Sequence, residues 1–163
     1  MKVLIAYFSW TGMTEKVADR IAKNLSKQEV EVRRMMPSKQ RGYLAWLTLS
    51  LFPGSRVKIQ QLDCDLSGFD LVMMGSPKWT LSCPPFNEFL GRLRNQLGKK
   101  VVYFMTYGGF DQERFARRAV SRLNALGCQV VDVLLVKRRL VETGEYAGVV
   151  DQFCARILDG TIA

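Results

Sequence analysis

Lys2-Val-Leu-Ile-Ala-Tyr-Phe-Ser-Trp-Thr-Gly-Met-Thr-Glu-Lys-Val-Ala-Asp-Arg-Ile-Ala22 reads as a strand, a polar loop and a helix in immediate succession. Val3 to Phe8 is an unbroken apolar run rich in β-branched and aromatic residues, as expected of a strand buried on both faces. After the loop, Val17, Ala18, Ile21, Ala22 and Leu25 recur at helical spacing, with charges between them. Such a junction points free backbone N–H groups and the positive end of a helix dipole at whatever lies above the strand. The guest it favours is an anion, above all a phosphate. Ser9, Thr11 and Thr14 offer hydroxyls, and Gly12 lets the chain turn closely without a Cβ. The loop has neither the Walker spacing nor Gly-x-Gly-x-x-Gly, so a monophosphate held by neutral donors fits better than a triphosphate or a dinucleotide. The plainer alternative is an ordinary βα turn with Thr14 as helix N-cap and Glu15 in the first turn.

With 163 residues and 48% hydrophobic content, the chain is expected to form one folded domain over 1–163. The apolar run at the start is too short for a signal peptide, and no stretch reaches the ~20 apolar residues of a membrane span. Cys64, Cys83, Cys128 and Cys154 are scattered, which suits thiols in a reducing cytoplasm rather than disulfides or zinc. There is no histidine, which excludes Ser-His and Cys-His catalysis and most transition-metal sites. Redox or group-transfer chemistry must then come from an organic cofactor. The net charge of +9 favours acidic partners.

Further along, Val30 to Met35 alternates as a short strand. An insert at about 36–60 follows. From Val32 to Leu62 the basic residues are Arg33, Arg34, Lys39, Arg41, Arg56 and Lys58, and no acidic residue intervenes. Inside lies the apolar segment Tyr43-Leu-Ala-Trp-Leu-Thr-Leu-Ser-Leu-Phe52, read as a buried or lid-like helix; contact with a membrane surface is the less favoured alternative. Phe69 to Gly75 is the next strand, followed by an irregular loop, Ser76 to Pro85, and a helix burying Phe86, Phe89, Leu90 and Leu93. Lys100 to Thr106 is a strand ending in Tyr107-Gly-Gly-Phe110. The helix from Asp111 to Leu126 buries Phe115, Ala119, Leu123 and Leu126 and exposes Arg114, Arg117, Arg118 and Arg122, a solvated stripe rather than a nucleic-acid site. Val130 to Val136 and a closing helix from Glu145 to Leu158, burying Val149, Val150, Phe153 and Ile157, complete the chain. Alternating strands and helices of this kind require a doubly wound, mostly parallel sheet covered on both faces.

In such sheets ligands bind beyond the carboxyl ends of the strands, where the winding reverses. The first, third and fourth strands all end in unusual loops. The first offers Ser9, Trp10, Thr11, Gly12, Met13 and Thr14; the third Pro77, Lys78, Trp79 and Thr80; the fourth Thr106, Tyr107, Gly108 and Gly109. Trp79 and Tyr107 can sandwich a flat ring, and the glycines let backbone N–H groups approach its edge. A planar heteroaromatic with a monophosphate tail describes FMN.

These motifs resemble those of flavodoxin-like FMN proteins of the short-chain branch. Ser9-Trp-Thr-Gly-Met-Thr14 is similar to that family's Thr/Ser-x-Thr-Gly-x-Thr phosphate loop, Gly75-Ser-Pro-Lys-Trp79 to its Gly-(Ser/Thr)-Pro-x-Trp strand end, and Thr106-Tyr-Gly-Gly109 to its third flavin loop. The resemblance covers nearly the whole chain. It implies a five-stranded parallel sheet of order 2-1-3-4-5 in an α/β/α sandwich, the order known for flavodoxin-like folds. It also implies FMN with its phosphate on Ser9 to Thr14 and its ring near Trp79 and Tyr107. Electron-carrying flavodoxins are acidic, whereas this chain is basic. Lys78 beside the ring is expected to stabilise an anionic reduced flavin and make it less reducing.

Function then divides three ways. The leading expectation is a redox protein passing electrons between partners, with basic patches steering an acidic protein or a small-molecule acceptor. The alternative is an FMN-dependent oxidoreductase acting on a quinone or porphyrin-like molecule at a membrane surface. The third is a flavin-free basic binding module, colourless and sensitive to salt.

Overall fold

The opening apolar run forms an inner strand of the sheet in the computed structural model, which describes residues 1–161. β1 (Lys2–Tyr7) pairs in parallel with β2 (Glu29–Arg34) on one side and β3 (Leu71–Pro77) on the other. β3 pairs with β4 (Lys100–Tyr107), and β4 with β5 (Gln129–Lys137), giving the parallel order β2-β1-β3-β4-β5. Because side chains alternate across a strand, β1 feeds two cores at once. Leu4, Ala6 and Phe8 join one face with Val72, Met74, Tyr103 and Met105; Val3, Ile5 and Tyr7 join the other with Met73, Phe104, Leu134 and Val136. The first face is covered by α3 (Pro84–Leu90) and α4 (Gln112–Ala125), the second by α1 (Met13–Asn24), α5 (Arg138–Thr143) and α6 (Tyr146–Leu158). This is the expected doubly wound α/β/α sandwich, with order 2-1-3-4-5.

Several local expectations are corrected. The helix after the third strand ends at Leu90, so Leu93 lies beyond it. The chain leaves the helix there to pair with the segment before β3: Arg94 N–H donates to Cys64 O (3.0 Å) and Leu66 N–H to Arg94 O (3.0 Å). Arg122 is half-buried rather than exposed, because its guanidinium donates to Asn87 Oδ1. Val149 is 38% exposed; Cys154 takes the buried place beside Val150, Phe153 and Ile157. α5 has no counterpart in the sequence reading; it is a six-residue helix closed by Gly144 at φ 86°. All four cysteines are free and buried, and burial pushes the Cys83 thiol up to about 12 and that of Cys154 to about 11. Neither is a thiolate nucleophile at neutral pH.

α1 and α6 are clipped together by Asp151, which accepts from Arg20 Nε (2.7 Å) and Asn24 Nδ2 (2.7 Å) and pairs with Arg20 Nη2. The bonds from Arg20, then that from Asn24, hold the Asp151 carboxyl at about 2, below its ordinary value of about 3.9. A depressed carboxylate stabilises the fold above its unfolded pKa, and that contribution disappears as pH falls through the folded value. Asp151→Asn is therefore expected to lower Tm at pH 7, with the difference from the parent protein closing between about pH 4 and pH 2. Thermal melts across that range check it; a difference independent of pH would contradict it.

Between β2 and β3 the basic-apolar segment carries α2 (Tyr43–Ser50). Trp46 and Ser50 are buried, while Leu44 is 74% and Phe52 62% exposed, so α2 is a surface helix resting on the molecule rather than a core element. Among the described residues, no helix is long and apolar enough to cross a membrane.

Candidate functional site

All five strands point their carboxyl ends to one edge, and the winding reverses between β1 and β3. The β1–β3 pairing continues past the strand end, as Phe8 N–H donates to Gly75 O (3.0 Å). The chain then turns at Gly12, whose φ of 84° is a conformation a β-carbon resists. Gly12 is the N-cap of α1, with no side-chain cap bond, and its carbonyl accepts from Lys16 N–H (3.0 Å). The N–H groups of Met13, Thr14 and Glu15 precede any intrahelical partner. This corrects the alternative in which Thr14 caps the helix. Thr14 is instead buried inside the first turn, its Oγ1 2.7 Å from Thr106 Oγ1, a bond that ties the first loop to the end of β4.

Ser9 is 4% exposed, and its Oγ has no hydrogen-bond partner among the described residues. Glu15, the carboxylate nearest this loop in sequence, is engaged by Arg34 Nη1 (2.6 Å) and by Tyr7 O–H (3.4 Å). Burial, with Glu15 beside it, pushes the Tyr7 phenol up to about 12. Pairing with Arg34 offsets the Glu15 charge, which would otherwise oppose an anion at the helix start.

The ends of β3 and β4 are fixed as firmly. Ser76 Oγ and Tyr103 Oη lie 2.6 Å apart in the core, and Lys78 N–H donates to Thr106 O (2.7 Å). Trp79 meets Phe8 edge-on (centroids 5.4 Å apart) and packs against Trp46 of α2 (5.1 Å, 36° between planes). Trp10 stacks on Tyr43 (5.9 Å, 25°). α2 is thus attached to both loops through aromatic pairs. Its carboxyl end is held as well: Leu81 N–H and Ser82 N–H donate to Ser50 O (2.9 and 3.1 Å), and Thr80 Oγ1 lies 2.6 Å from Ser50 Oγ.

The result is a cleft of about 530 Å³, within the roughly 300–1,000 Å³ usual for small-molecule sites. Trp10, Thr11, Met13, Pro77, Lys78, Trp79, Thr80, Thr106, Tyr107, Gly108 and Gly109 line it. Gly12 and Thr14 are not among the lining residues, Thr14 being buried against Thr106, and Ser9 lines an adjoining cavity of about 360 Å³. Sequence reasoning missed Tyr43, Trp46, Leu47, Phe110 and Arg138, which also line the cleft. Arg138 follows β5 directly and Phe110 ends the β4 loop, so both were legible from the rule that ligands sit at this edge. No acidic side chain lines the cleft, and Lys78 and Arg138 do. Lys78 Nζ sits 6.0 Å from the Phe110 ring centroid and donates to Trp79 O (3.3 Å).

Fold and site together define a class: a doubly wound α/β protein with a cationic, aromatic-walled cleft at its switch point and unengaged donors beside it. A model of the flavodoxin family matches residues 2–131. A protein from Archaeoglobus fulgidus is 36% identical over 133 residues, covering 82% of this chain and 84% of its own. Among solved structures, oxidised Flavodoxin 2 from Bacillus cereus aligns over 98% of this chain and 99% of its own, at TM-score 0.67 and 24% identity. A flavoprotein in complex with FMN from Lactobacillus acidophilus aligns over 82% and 92%, at TM-score 0.67 and 22% identity. The two structures share the fold. The chain belongs to the flavodoxin family.

Proposed function

We propose that this protein carries FMN across its β1, β3 and β4 loops and exchanges electrons with partner proteins. FMN is the cofactor of the family to which the chain belongs, and the residues present fit it. The observation that carries the reading is the partnerless buried hydroxyl of Ser9 beside the unengaged N–H groups of the α1 start, next to a cleft without carboxylates. The donors suit the phosphate, while Trp79 and Tyr107 suit the ring. When bound, FMN supplies the electron exchange. Trp79, Tyr107 and the backbone at Gly108 and Gly109 would hold the ring, and Tyr43, Trp46 and Leu47 of α2 would cover it from the other side of the cleft they line. The net charge of +9 draws an acidic partner, and four free, buried thiols suit a cytoplasmic setting. Absorbance of the purified protein, with mass identification of the released chromophore, tests the reading. One FMN per chain is expected; folded protein that stays colourless when FMN is supplied would end it.

Lys78 lines the cleft, so its charge favours the state that gains an electron. Lys78→Gln is expected to make the flavin potential more negative by tens of millivolts, about 1 kcal/mol on one electron being roughly 40 mV. A redox titration in low salt reads the shift, and an unchanged or raised potential would remove Lys78 from the ring's surroundings.

A second reading, an oxidoreductase taking an apolar quinone or porphyrin-like substrate at a membrane surface, is favoured by one observation. Leu44, Leu51 and Phe52 are exposed on and just after α2, in a segment whose charged residues are all basic. Co-sedimentation with anionic vesicles, lost on replacing the three by serine, supports it; protein that stays in the supernatant leaves the carrier reading.

A further inference from the structure

A separate cavity opens between the β3 loop, α3 and α4. Leu81 and Ser82, which line it, directly follow Thr80 of the cleft. Pro53, Cys83, Phe86, Leu90, Phe115 and Ala119 give it apolar walls. Its volume is about 200 Å³, below the roughly 300–1,000 Å³ usual for small-molecule sites, so it suits a single bulky side chain better than a second cofactor. The cavity is also preformed. Asn87 Nδ2 donates to Pro53 O (3.2 Å) and Ser55 O (2.8 Å), and Asn87 Oδ1 accepts from Arg122, which ties α3, α4 and the end of the insert together around it.

The rim is charged, and the charge is uncompensated. Arg118 and Arg122 line the cavity, and no carboxylate does. Elsewhere on α4, Arg114 is paired with Asp111 and Arg117 with Glu113. Arg118 and Arg122 have no carboxylate partner among the described residues, and Arg122 meets only the neutral amide of Asn87. Arg56 lies over Gly91, just past Leu90, where its guanidinium would meet any β-carbon. Burial, and then the Arg56 charge, lower the Arg122 pKa, so these guanidiniums feel one another. Carboxylates brought to this rim would relieve that repulsion and accept guanidinium hydrogen bonds.

We propose that this cavity anchors an acidic partner protein: one bulky apolar side chain of the partner fills it, and carboxylates flanking that side chain meet Arg118, Arg122 and Arg56. An apolar pocket inside a charged rim is the form that binding hot spots take. A nucleic acid would satisfy the rim and leave the apolar walls empty. A second copy of this chain would bring its own net charge of +9 against the same arginines. A partner seated here stands beside the cleft, because the β3 loop passes from Thr80 to Leu81 between the two. That it exchanges electrons rests on the function proposed above; the anchor itself does not need the flavin.

The test titrates ¹⁵N-labelled, FMN-loaded protein with a blocked seven-residue peptide, phenylalanine at its centre and three glutamates on each side. The controls are the same peptide with alanine at the centre and an oligothymidylate of equal charge. Saturable shifts at Leu81 to Asn87 and Phe115 to Arg122 are expected, with the alanine peptide weaker by about tenfold. The surface change Arg118→Gln is expected to weaken both peptides by about threefold. Ala119→Leu, which fills the cavity, is expected to weaken the phenylalanine peptide alone. The alanine peptide reads the cavity without altering the protein, so the outcome does not hang on that variant's folding. Two peptides that bind alike, an oligothymidylate bound as tightly as the phenylalanine peptide, or α4 amides that do not move each overturn the inference. So does a parent protein that sediments as a dimer until Ala119→Leu separates it, which gives the cavity to a second copy. Parent protein that takes up no flavin defeats the proposed function instead, and the same titration of the flavin-free protein then decides this surface.

Discussion

Trp79→Ala is expected to weaken FMN binding by about 10- to 100-fold, and riboflavin binding by the same factor. Loss of one stacking aromatic costs roughly 1–3 kcal/mol where a flat heterocycle lies against it. The effect is on the ring and is blind to the phosphate, which is why the two flavins are expected to lose affinity alike. Two terms combine here. Trp79 gives its own surface to the cleft, and through its contacts with Phe8 and Trp46 it also holds α2 against the mouth. Trp79→Phe retains much of both and is expected to lose less than tenfold. Fluorescence titration with the two flavins reads all of this. An alanine variant that folds and binds FMN with parental affinity would mean that the ring lies elsewhere.

The second large effect concerns stability. Gly75 sits in β3 between β1 and β4, and a β-carbon there would come closer than 3.0 Å to three carbons of the fully buried Phe104 ring. Neither backbone can give way without breaking ladder bonds on both sides, and Phe104 is packed in the core beneath α1 and α6. Gly75→Ala is therefore expected to cost about 3 kcal/mol, the upper end for overpacking a tight core. Phe104→Leu alone leaves a void and is also destabilising. Made together, the two changes relieve one another, and the double variant is expected to be more stable than additivity predicts by at least about 1 kcal/mol. Urea unfolding of the four proteins measures the coupling; strict additivity would contradict the contact. Because Gly75 O also accepts from Phe8 N–H, the alanine variant is expected to disturb the first loop as well.

The fold was legible because its signals are local. Six apolar residues in a row, then a glycine-bearing turn, then helical periodicity determine the β1–α1 unit whatever surrounds it. The same signals found the other strands. What failed was decided by long-range contacts. Leu93 continues the apolar spacing of α3, yet the chain is drawn away to pair with Cys64 and Leu66. Arg122 is on the same helix as the exposed Arg114, Arg117 and Arg118, but Asn87 draws it inward. Val149 and Cys154 are both adjacent to the buried stripe of α6, and only the packing against α1 decides which is covered.

The site divides in the same way. The three loops could be read as a cluster because each follows a strand directly and the parallel topology brings strand ends together. The insert could not be placed. Nothing in its sequence says that Tyr43 stacks on Trp10 or that Trp46 packs against both Phe8 and Trp79, since those contacts join segments far apart in the chain, as do the bonds from Leu81 and Ser82 N–H to Ser50 O. The electrostatics were half legible: the absence of acidic residues in the insert was plain, but not that Arg41 faces the same cavity as Ser9.

Titration of FMN into the ¹⁵N-labelled protein, followed amide by amide, tests the location of the flavin most directly. Saturation at one equivalent is expected, with the largest shifts at Ser9 to Thr14, Lys78 to Thr80 and Thr106 to Gly109, and little change on the exposed face of α4. Shifts centred on α4, or a spectrum unmoved by FMN, would contradict the account.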